Sequence, residues 1–514
     1  EAGYINIEIM YNQTNNKFLV VGVYGAGNDD HLKMYDGTTG ANVLNSTQNS
    51  ALGHYNTGNV EVLSGSDTGK HIVTYTVPGT SFGASVVTIT GNTASVTAPT
   101  TLLTYHTGHT DGNHPAIWDK ANENAIILTF AANGMEVGAT AVSISGTTLT
   151  AGSDTNAHLD SNMNYRQGVT GNASYRAQIA YSEHASLGIM TYAKTGTYPW
   201  NQSDSGIYYR TVTSDSSRNI TLGAETQILS GTIGFLTTSG GANTVGIHQF
   251  AITPDGTKFI LAVENQSGIA NSQVQIPHLV YTGTVSASGV LQNLSSSTTI
   301  SGDTKKARAR VVPGQNSAFF LSYITSNTTS GHQYNTDSHI PTSTSTLAQS
   351  YVTVAANGTH TISSPTTVSI GAVRRLQAAV SASKWFILGY AGTPSSHRSL
   401  YYGNFNFSFG SNFAQWVGIA GSTVSDGQTL TVTLPGGIND QQSGMTIEST
   451  YYVQEDGDIE TGVTAEIAGV ALSATELLVA DNTANAGYVK ISVLKAEVAA
   501  STNFADFQTR IAAL

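Results

Sequence analysis

The segment TGTYPWNQSD, at positions 195–204, contains two aromatic residues followed closely in the sequence by residues with hydrogen-bonding side chains. Tyr198 and Trp200 present flat apolar rings that can stack on the face of a sugar. Three neighbouring residues can hydrogen-bond to sugar hydroxyls: Asn201, Gln202 and Asp204. This combination predicts a glycan-binding loop. The alternative is a loop that folds onto its neighbour and binds nothing.

A second long segment, at 326–347, carries His332, Tyr334 and His339. Long connections on a rigid scaffold commonly carry recognition residues. We therefore add His332 and Tyr334 to the predicted glycan-binding residues.

Basic residues are concentrated at the start of two apolar strands. Six of the 21 bases lie there: Lys305, Lys306, Arg308, Arg310, Arg374 and Arg375. Guanidinium groups pair with phosphate and carboxylate groups in a two-pronged geometry. The four arginines are therefore predicted to line a channel and to receive acidic groups of a surface polysaccharide. The alternative is pairing with acidic residues or a water-filled channel lining.

The segment HTGHTDGNH combines ligand types that suit a divalent cation. It contains His106, His109, Asp111 and His114. Polar histidine-rich loops are more often solvated, so we predict no metal site and no cofactor.

Sequence patterns that indicate catalysis are missing. The Ser-x-Asp-x-Gly-x-Thr-Trp box of sialidase-like enzymes does not recur, and SGSDTGK at 64–70 only approaches it. Phosphate-binding, dinucleotide-binding and serine-hydrolase motifs are absent. With no cysteine in the chain, cysteine nucleophiles and thiolate metal sites are excluded as well. We predict no catalytic residue and a protein that is not an enzyme.

A repeated pair of strands organises the first four fifths of the chain. Each repeat has a strand, a tight polar turn and a strongly apolar strand, as in YINIEIMYNQTNNKFLVVGVY at 4–24. The second strands are predicted to begin near Lys17, Lys70, Ala125, Leu187, Lys258, Ser317 and Lys384, at intervals of 53, 55, 62, 71, 59 and 67 residues. A third alternating strand and a weaker fourth follow most pairs.

Four antiparallel strands per repeat are typical of the blades of a β-propeller. We predict an all-β fold with a seven-bladed propeller over 1–410. A six-bladed propeller remains open if one repeat is irregular. The outer strand of the last repeat is ambiguous: either FNFSF at 405–409 forms it, or residues ahead of Glu1 do.

The amino-acid composition agrees with an all-β fold, and the net charge disfavours some classes of binding partner. Charged residues are 11% of the chain and glycine contributes 53 of 514 residues, which disfavours long charged helices. The formal net charge of −12 disfavours binding to nucleic acid or to an anionic membrane.

The pattern changes after about residue 411. A small β module is predicted over 411–495, followed over 496–514 by a short amphipathic helix. Its apolar residues are Phe504, Phe507, Ile511 and Leu514, spaced by 3, 4 and 3. This apolar stripe needs a partner surface, either on its own chain or in a homo-oligomer.

Short blocks of small and aromatic residues recur through the β module. They are WVGIA (416–420), VSDG (424–427), GGIN (436–439), GMT (444–446), YYV (451–453), DG (456–457) and GVALSATELLV (469–479). Over about an eighth of the chain, this segment resembles a module near the ends of tail-fibre-like and other virion structural proteins of tailed bacteriophages, particularly those of marine cyanobacteria. The resemblance implies a structural or adhesive role and transfers no catalytic residue.

We therefore expect an extracellular virion protein of the tail or a surface appendage. Its expected partners are other virion proteins and a host surface polysaccharide or outer-membrane receptor. A secreted adhesin or surface-layer protein of a marine microbe is the first alternative, and a propeller glycoside hydrolase is the second.

Overall fold

A computed structural model describes most of the strands and part of the C-terminal region. The described residues are 7–24, 29–46, 56–77, 81–103, 115–130, 137–152, 177–194, 206–230, 248–264, 278–300, 310–313, 318–327, 345–370, 375–381, 384–391, 399–406, 419–420, 422, 431–434, 436–453, 459–461 and 467–480. They form strands and turns only, and every strand pairing is antiparallel. The all-β class predicted from the sequence is confirmed. None of these residues belongs to a helix that is long and apolar enough to cross a bilayer.

The chain divides into two compact units, residues 1–406 (unit 1) and residues 407–514 (unit 2). The described residues of unit 1 form seven sheets that follow one another along the chain. The first sheet contains β1 (Ile7–Asn12), β2 (Lys17–Tyr24), β3 (Asp29–Asp36) and β4 (Asn42–Ser46). The second contains β5 (Asn56–Glu61), β6 (His71–Val77), β7 (Ser81–Thr90), β8 (Thr93–Val96) and β9 (Thr100–Leu103). The third contains β10 (Ala116–Asp119), β11 (Asn124–Phe130), β12 (Val137–Ser145) and β13 (Thr148–Ala151).

The remaining sheets of unit 1 repeat this order. The fourth contains β14 (Ala177–Ser182), β15 (Leu187–Lys194), β16 (Gly206–Ser214), β17 (Ile220–Leu222) and β18 (Thr226–Ser230). The fifth contains β19 (His248–Ile252), β20 (Lys258–Glu264), β21 (His278–Val285), β22 (Leu291–Gln292) and β23 (Thr298–Ile300). The sixth contains β24 (Arg310–Pro313), β25 (Ala318–Asn327), β26 (Ser345–Val354), β27 (His360–Ile362) and β28 (Thr366–Ile370). The seventh contains β29 (Arg375–Val380), β30 (Lys384–Ala391) and β31 (Ser399–Asn406).

Each sheet pairs its strands in chain order, and four sheets have a divided outer strand. In the second sheet, β8 pairs with one half of β7 and β9 pairs with the other half. The fourth, fifth and sixth sheets repeat this arrangement. The weak fourth strand of the sequence pattern is thus two short strands in these sheets.

The first strands of the seven sheets follow one another in a closed ring. Each first strand contacts the first strand of the next sheet, and β29 contacts β1. This cyclic order of antiparallel sheets is propeller-like.

The apolar core of unit 1 lies between consecutive sheets. Ile189 and Met190 in β15 are both fully buried, but they belong to different clusters because successive side chains of a strand point to opposite faces. Ile189 packs with residues of the fifth sheet, and Met190 packs with residues of the third. Each inner strand is therefore apolar on both faces, which explains the strongly hydrophobic second strand of every repeat.

One of the two alternatives left open for the outer strand of the seventh sheet is wrong. Strand β31 extends through Phe405 to Asn406 and pairs with Lys384 at its end, so residues 405–406 continue the third strand of the seventh sheet. They do not form its outer strand. The described residues contain no fourth strand for this sheet.

Unit 2 contains a small sheet and a separate strand pair. The pair is β32 (Ile419–Ala420) and β33 (Val432–Thr433). The sheet contains β34 (Ile438–Asn439), β35 (Thr450–Val453), β36 (Ile459–Glu460), β37 (Ile467–Ala471) and β38 (Leu477–Val479). Its spatial order is β34-β38-β37-β35-β36. The helix predicted over 496–514 lies outside the described residues.

Candidate functional site

Most of the predicted site residues lie in connections that the structure does not describe. These residues are Tyr198, Trp200, Asn201, Gln202, Asp204, His332, Tyr334, Arg308 and Arg374, together with the histidine-rich segment 106–114. Two predicted channel cations have a described backbone. Arg310 begins β24 and Arg375 begins β29, and both strands belong to the ring of first strands.

Antiparallel order gives each sheet of unit 1 two different ends. At one end, which we call the short-turn end, first strands turn into second strands, as at residues 13–16 and 183–186. At the other end, which we call the long-connection end, second strands lead to third strands and each sheet leads to the next. Arg310 and Arg375 lie at the long-connection end because they begin first strands.

Polar side chains at the short-turn end tie neighbouring sheets together. In the third sheet, Asp119 is 1% exposed and accepts hydrogen bonds from Ser214 of the fourth sheet, 2.7 Å from its Oγ and 3.3 Å from its backbone nitrogen. Asn124 donates to Ser214 Oγ at 3.1 Å. These contacts satisfy buried polar atoms that would otherwise destabilise the interface.

The fourth and fifth sheets are joined at an equivalent position. Ser182 Oγ donates to the backbone oxygen of Gly256 at 2.8 Å. Gly256 has φ +75°, and a Cβ there would lie 2.4 Å from the backbone nitrogen of His184. Only glycine therefore fits this turn.

His71 occupies a buried position between the first and second sheets. Its Nδ1 donates to Asn59 Oδ1 at 2.8 Å, and its Nε2 accepts a hydrogen bond from Asn12 Nδ2 at 2.8 Å. Asn12 also donates to the backbone oxygen of Gly69 at 2.8 Å. Burial lowers the pKa of His71 to about 3, so the ring is neutral. This histidine is structural.

A different pattern occurs between the sixth and seventh sheets, toward the long-connection end. Ser322 in β25 and Gln349 in β26 are cross-strand partners, 1% and 5% exposed. Ser322 Oγ and Gln349 Nε2 have no hydrogen-bond partner in the described part of the chain. Arg310 in β24 is the cross-strand partner of Ser322, so the three residues occupy one row across the sheet.

Ser322 and Gln349 face away from the fifth sheet. The neighbours of Ser322 in β25, Leu321 and Tyr323, pack in the cluster that joins the fifth and sixth sheets. Alternation therefore directs Ser322 and Gln349 to the opposite face, where β25 contacts β29 of the seventh sheet. Leaving a buried donor unpaired costs about 1–3 kcal/mol, which a ligand with acceptor oxygens can offset. Sequence reasoning identified Arg310 but missed these two partners, because neither belongs to a motif.

A tyrosine, a carboxylate and an arginine also meet in the fourth sheet. The Tyr192 hydroxyl donates to Glu225 Oε2 and accepts from Arg210 Nε at 3.2 Å. Arg210 also donates to the backbone oxygen of Gly223 at 3.1 Å. Tyr192 is fully buried, and burial together with the Glu225 hydrogen bond raises its pKa far above the usual range. This tyrosine is therefore not an accessible nucleophile.

A second group of charged residues lies at the short-turn end. Glu61 is 4% exposed and accepts hydrogen bonds from the backbone nitrogens of Gln13 and Thr14 at 3.0 and 3.2 Å. Burial raises its pKa despite these bonds and despite the charge of Lys120, which itself pairs with Glu183. The contacts of Glu61 are those of a carboxylate that anchors a turn. Among the described residues, no group of three or more His, Cys, Asp or Glu side chains could hold a metal ion.

Comparisons with known proteins are limited to distant structural likeness. No protein-family model matches the chain, and no curated protein sequence matches it. The BP39L lectin from Burkholderia pseudomallei is 8% identical, with a TM-score of 0.45, over 78% of this chain and 99% of the lectin. The polysaccharide lyase Uly1 is 11% identical, with a TM-score of 0.41, over 76% of this chain and 88% of the lyase. The β-propeller domain of the trilobed protease from Pyrococcus furiosus is 9% identical, with a TM-score of 0.36, over 79% of this chain and 96% of that domain. These neighbours include a binding protein and an enzyme, and at such distances none assigns a function to this chain.

Proposed function

We propose that the chain is a non-enzymatic structural protein of a bacteriophage virion, a tail-fibre or appendage component that attaches to host-surface glycans. In this proposal unit 1 is a seven-bladed β-propeller that binds glycan at its long-connection end. The resemblance of the segment 416–479 to modules of phage fibre proteins supports the virion assignment. The cyclic contacts of seven first strands support the blade count.

The observation that carries the binding proposal is the row of buried polar residues in the sixth sheet. At the short-turn end, Asp119, Ser182 and Asn12 are buried and hydrogen-bonded to the neighbouring sheet. Toward the long-connection end, Ser322 and Gln349 are buried in a row with Arg310 and offer donors that have no partner among the described residues. Donors of this kind suit the hydroxyl and carboxylate oxygens of acidic sugars.

The sequence of the long connections supports the same end of the molecule. The loop with Tyr198 and Trp200 joins a second strand to a third, and so does the segment with His332 and Tyr334. We therefore propose that these aromatic residues act together with Arg310 and Arg375 in glycan binding. We propose that the aromatic residues stack on sugar rings and that the arginines bind their acidic groups.

Glycan binding is tested with the purified full-length chain and host surface polysaccharide by isothermal titration calorimetry. Ser322→Ala should weaken binding about 5- to 30-fold, as expected for the loss of one hydrogen bond of about 1–2 kcal/mol. Ser350→Ala is the matched control, because the Ser350 hydroxyl is also buried without a partner but lies on the opposite face of the sixth sheet. Equal affinities of Ser322→Ala and the unchanged protein would contradict this site.

Two further measurements separate the proposal from its alternatives. Replacing Tyr198 and Trp200 with Ala should abolish adsorption to host cells without lowering the melting temperature. Mass spectrometry of purified phage particles should detect the chain, and its absence would favour a secreted adhesin. Shortening of the polysaccharide on incubation would show a glycoside hydrolase or lyase and overturn the non-enzymatic assignment.

A further inference from the structure

The sheet of unit 2 has one buried face and one apolar face that is open. The buried face packs Met445, Tyr451, Ala468, Ala471 and Leu477 together. The opposite face carries a row of cross-strand partners from four adjacent strands. The row is Ile438, Leu478, Val470 and Thr450. We call it the apolar row.

The exposure of this face is high for apolar residues. Ile438 is 54% exposed, and the other three members of the apolar row are half-buried. Leu434, close by in the chain, is 58% exposed and Val432 is 38% exposed. Between them, Thr433 points inward and accepts a hydrogen bond from Asn439 Nδ2 at 3.0 Å, so alternation turns both apolar neighbours away from it.

Unit 2 is where exposed apolar residues concentrate. Six large apolar side chains of the described residues are at least 37% exposed, and four of them belong to unit 2: Val432, Leu434, Ile438 and Ile447. Large exposed apolar side chains concentrated in one small unit indicate an interaction surface there.

The C-terminal segment has the complementary pattern and the matching length. Its apolar stripe runs from Phe504 to Leu514, so as a helix it is about 15 Å long at about 1.5 Å per residue. The apolar row crosses three strand spacings of about 4.8 Å, a length of about 14 Å. A helix lying across the strands would therefore cover the whole row with its apolar side.

Chain length allows the segment to return to its own sheet. The described part of the sheet ends at Ala480, and residues 481–503 separate it from Phe504. These residues can span about 75 Å when extended, several times the length of the row. Two parts of one chain that are joined by a connection of this length meet at an effective concentration of about millimolar, which favours docking within one chain over docking between chains.

We propose that the apolar row of unit 2 is the docking surface for residues 504–514 of the same chain, bound as an amphipathic helix. Phe504, Phe507, Ile511 and Leu514 pack on the row, and their burial removes apolar surface of both partners from water. Docking closes the open face of unit 2 and is independent of glycan binding by unit 1.

The absence of cysteine permits a direct test by engineered disulfide formation in the full-length chain. The double variant Ile438→Cys with Phe507→Cys should oxidise to an intramolecular disulfide, seen as a faster-migrating monomer on a non-reducing gel. The matched control is Thr475→Cys with Phe507→Cys, because Thr475 is exposed in the turn between β37 and β38, off the row. It should cross-link at least 10-fold more slowly.

Each other result overturns the proposal. A disulfide-linked dimer would assign the row to the C-terminal segment of a second copy. Equal cross-linking by the test pair and the control pair would mean that the segment does not dock. Hydrogen exchange gives a second measurement without cysteine: amides 504–514 should exchange at least 10-fold more slowly than in an Ile438→Asp variant, whose exposed site tolerates the change in the folded sheet.

Discussion

Ser381 Oγ donates a hydrogen bond of 2.6 Å to the backbone oxygen of Gly37, although 344 positions separate the two residues. Ser381 follows the first strand of the seventh sheet, and Gly37 begins the turn after the third strand of the first sheet. Ala379 packs nearby against Ile9, Phe18 and Tyr35 of the first sheet. The last sheet is thus joined to the first by both a polar and an apolar contact.

Removing this closing hydrogen bond should destabilise unit 1. In Ser381→Ala the buried carbonyl of Gly37 loses its side-chain donor, at a cost of about 1–2 kcal/mol in the free energy of unfolding. Urea denaturation followed by tryptophan fluorescence measures this difference. Ser217→Ala is the control because Ser217 is exposed in a turn of the fourth sheet. The free energy of unfolding of this variant should lie within about 0.5 kcal/mol of that of the unchanged protein. Equal stability of both variants would contradict a closing role for Ser381.

The stability of unit 1 should fall on mild acidification because of His71. Its pKa is about 3 when folded and about 6.5 when unfolded, so in this range the unfolded chain binds a proton that the folded chain does not. The free energy of unfolding therefore decreases as the pH falls from about 6.5 toward 3. Burial lowers the pKa of His360 and adds a change of the same sign, whereas the raised pKa of Glu61 acts in the opposite sense.

Comparison of variants isolates the contribution of His71. Denaturation midpoints from about pH 7 to pH 4.5 should depend less on pH in His71→Gln than in the unchanged protein. The window avoids most of the acid loss expected from Asp36, Asp67 and Asp215, whose pKa values are lowered by hydrogen bonds in the folded state. His184→Gln changes an exposed turn position, and its denaturation midpoint should depend on pH as that of the unchanged protein does. Parallel curves for all three proteins would refute the assignment.

Asp119 and Ser214 should be energetically coupled. Their side chains meet at 2.7 Å between the third and fourth sheets, and both residues are buried. Asp119→Asn and Ser214→Ala should each lower the free energy of unfolding by about 1–3 kcal/mol. The double variant should lose about 1 kcal/mol less than the sum of the two, because the shared hydrogen bond is removed only once. Additive losses in chemical denaturation would show that the contact contributes nothing.

Tyr192→Phe should lower stability without affecting glycan binding. The change removes the hydroxyl that joins Glu225 to Arg210 and should cost about 1–2 kcal/mol. The affinity for host polysaccharide should stay within twofold, because the Tyr192 hydroxyl is already hydrogen-bonded to Glu225 and Arg210 and belongs to the fourth sheet, which does not carry the proposed binding row. A loss of polysaccharide cleavage in this variant, if cleavage occurs at all, would instead assign Tyr192 a catalytic part.

Sequence periodicity predicted the second strands closely. The expected starts at Lys17, Leu187, Lys258 and Lys384 are the observed starts of β2, β15, β20 and β30. The expected starts at Lys70, Ala125 and Ser317 differ by one residue from the observed starts at His71, Asn124 and Ala318. The second strands could be predicted from the sequence because alternation, β-branched composition and a tight polar turn are local properties of the chain.

The positions of the outer strands were harder to predict from the sequence, for a physical reason. Each short outer strand has one neighbouring strand and alternates weakly, as the exposed and half-exposed positions of β8 illustrate. Its position depends on pairing with the third strand, which periodicity does not report. The same limitation explains why the sequence left open an outer strand at 405–409, although Phe405 continues β31.

The sequence by itself determined the all-β class and the series of strand pairs, together with the residue types that suit a glycan. It also separated the C-terminal region by its change of pattern. Only the tertiary structure decided which polar residues meet: Asp119 with Ser214, Asn12 with His71, and Ser322 with Gln349. Strand formation follows from neighbours along the chain, whereas a buried polar side chain is satisfied or left unpaired by residues that folding brings to it from other strands and sheets.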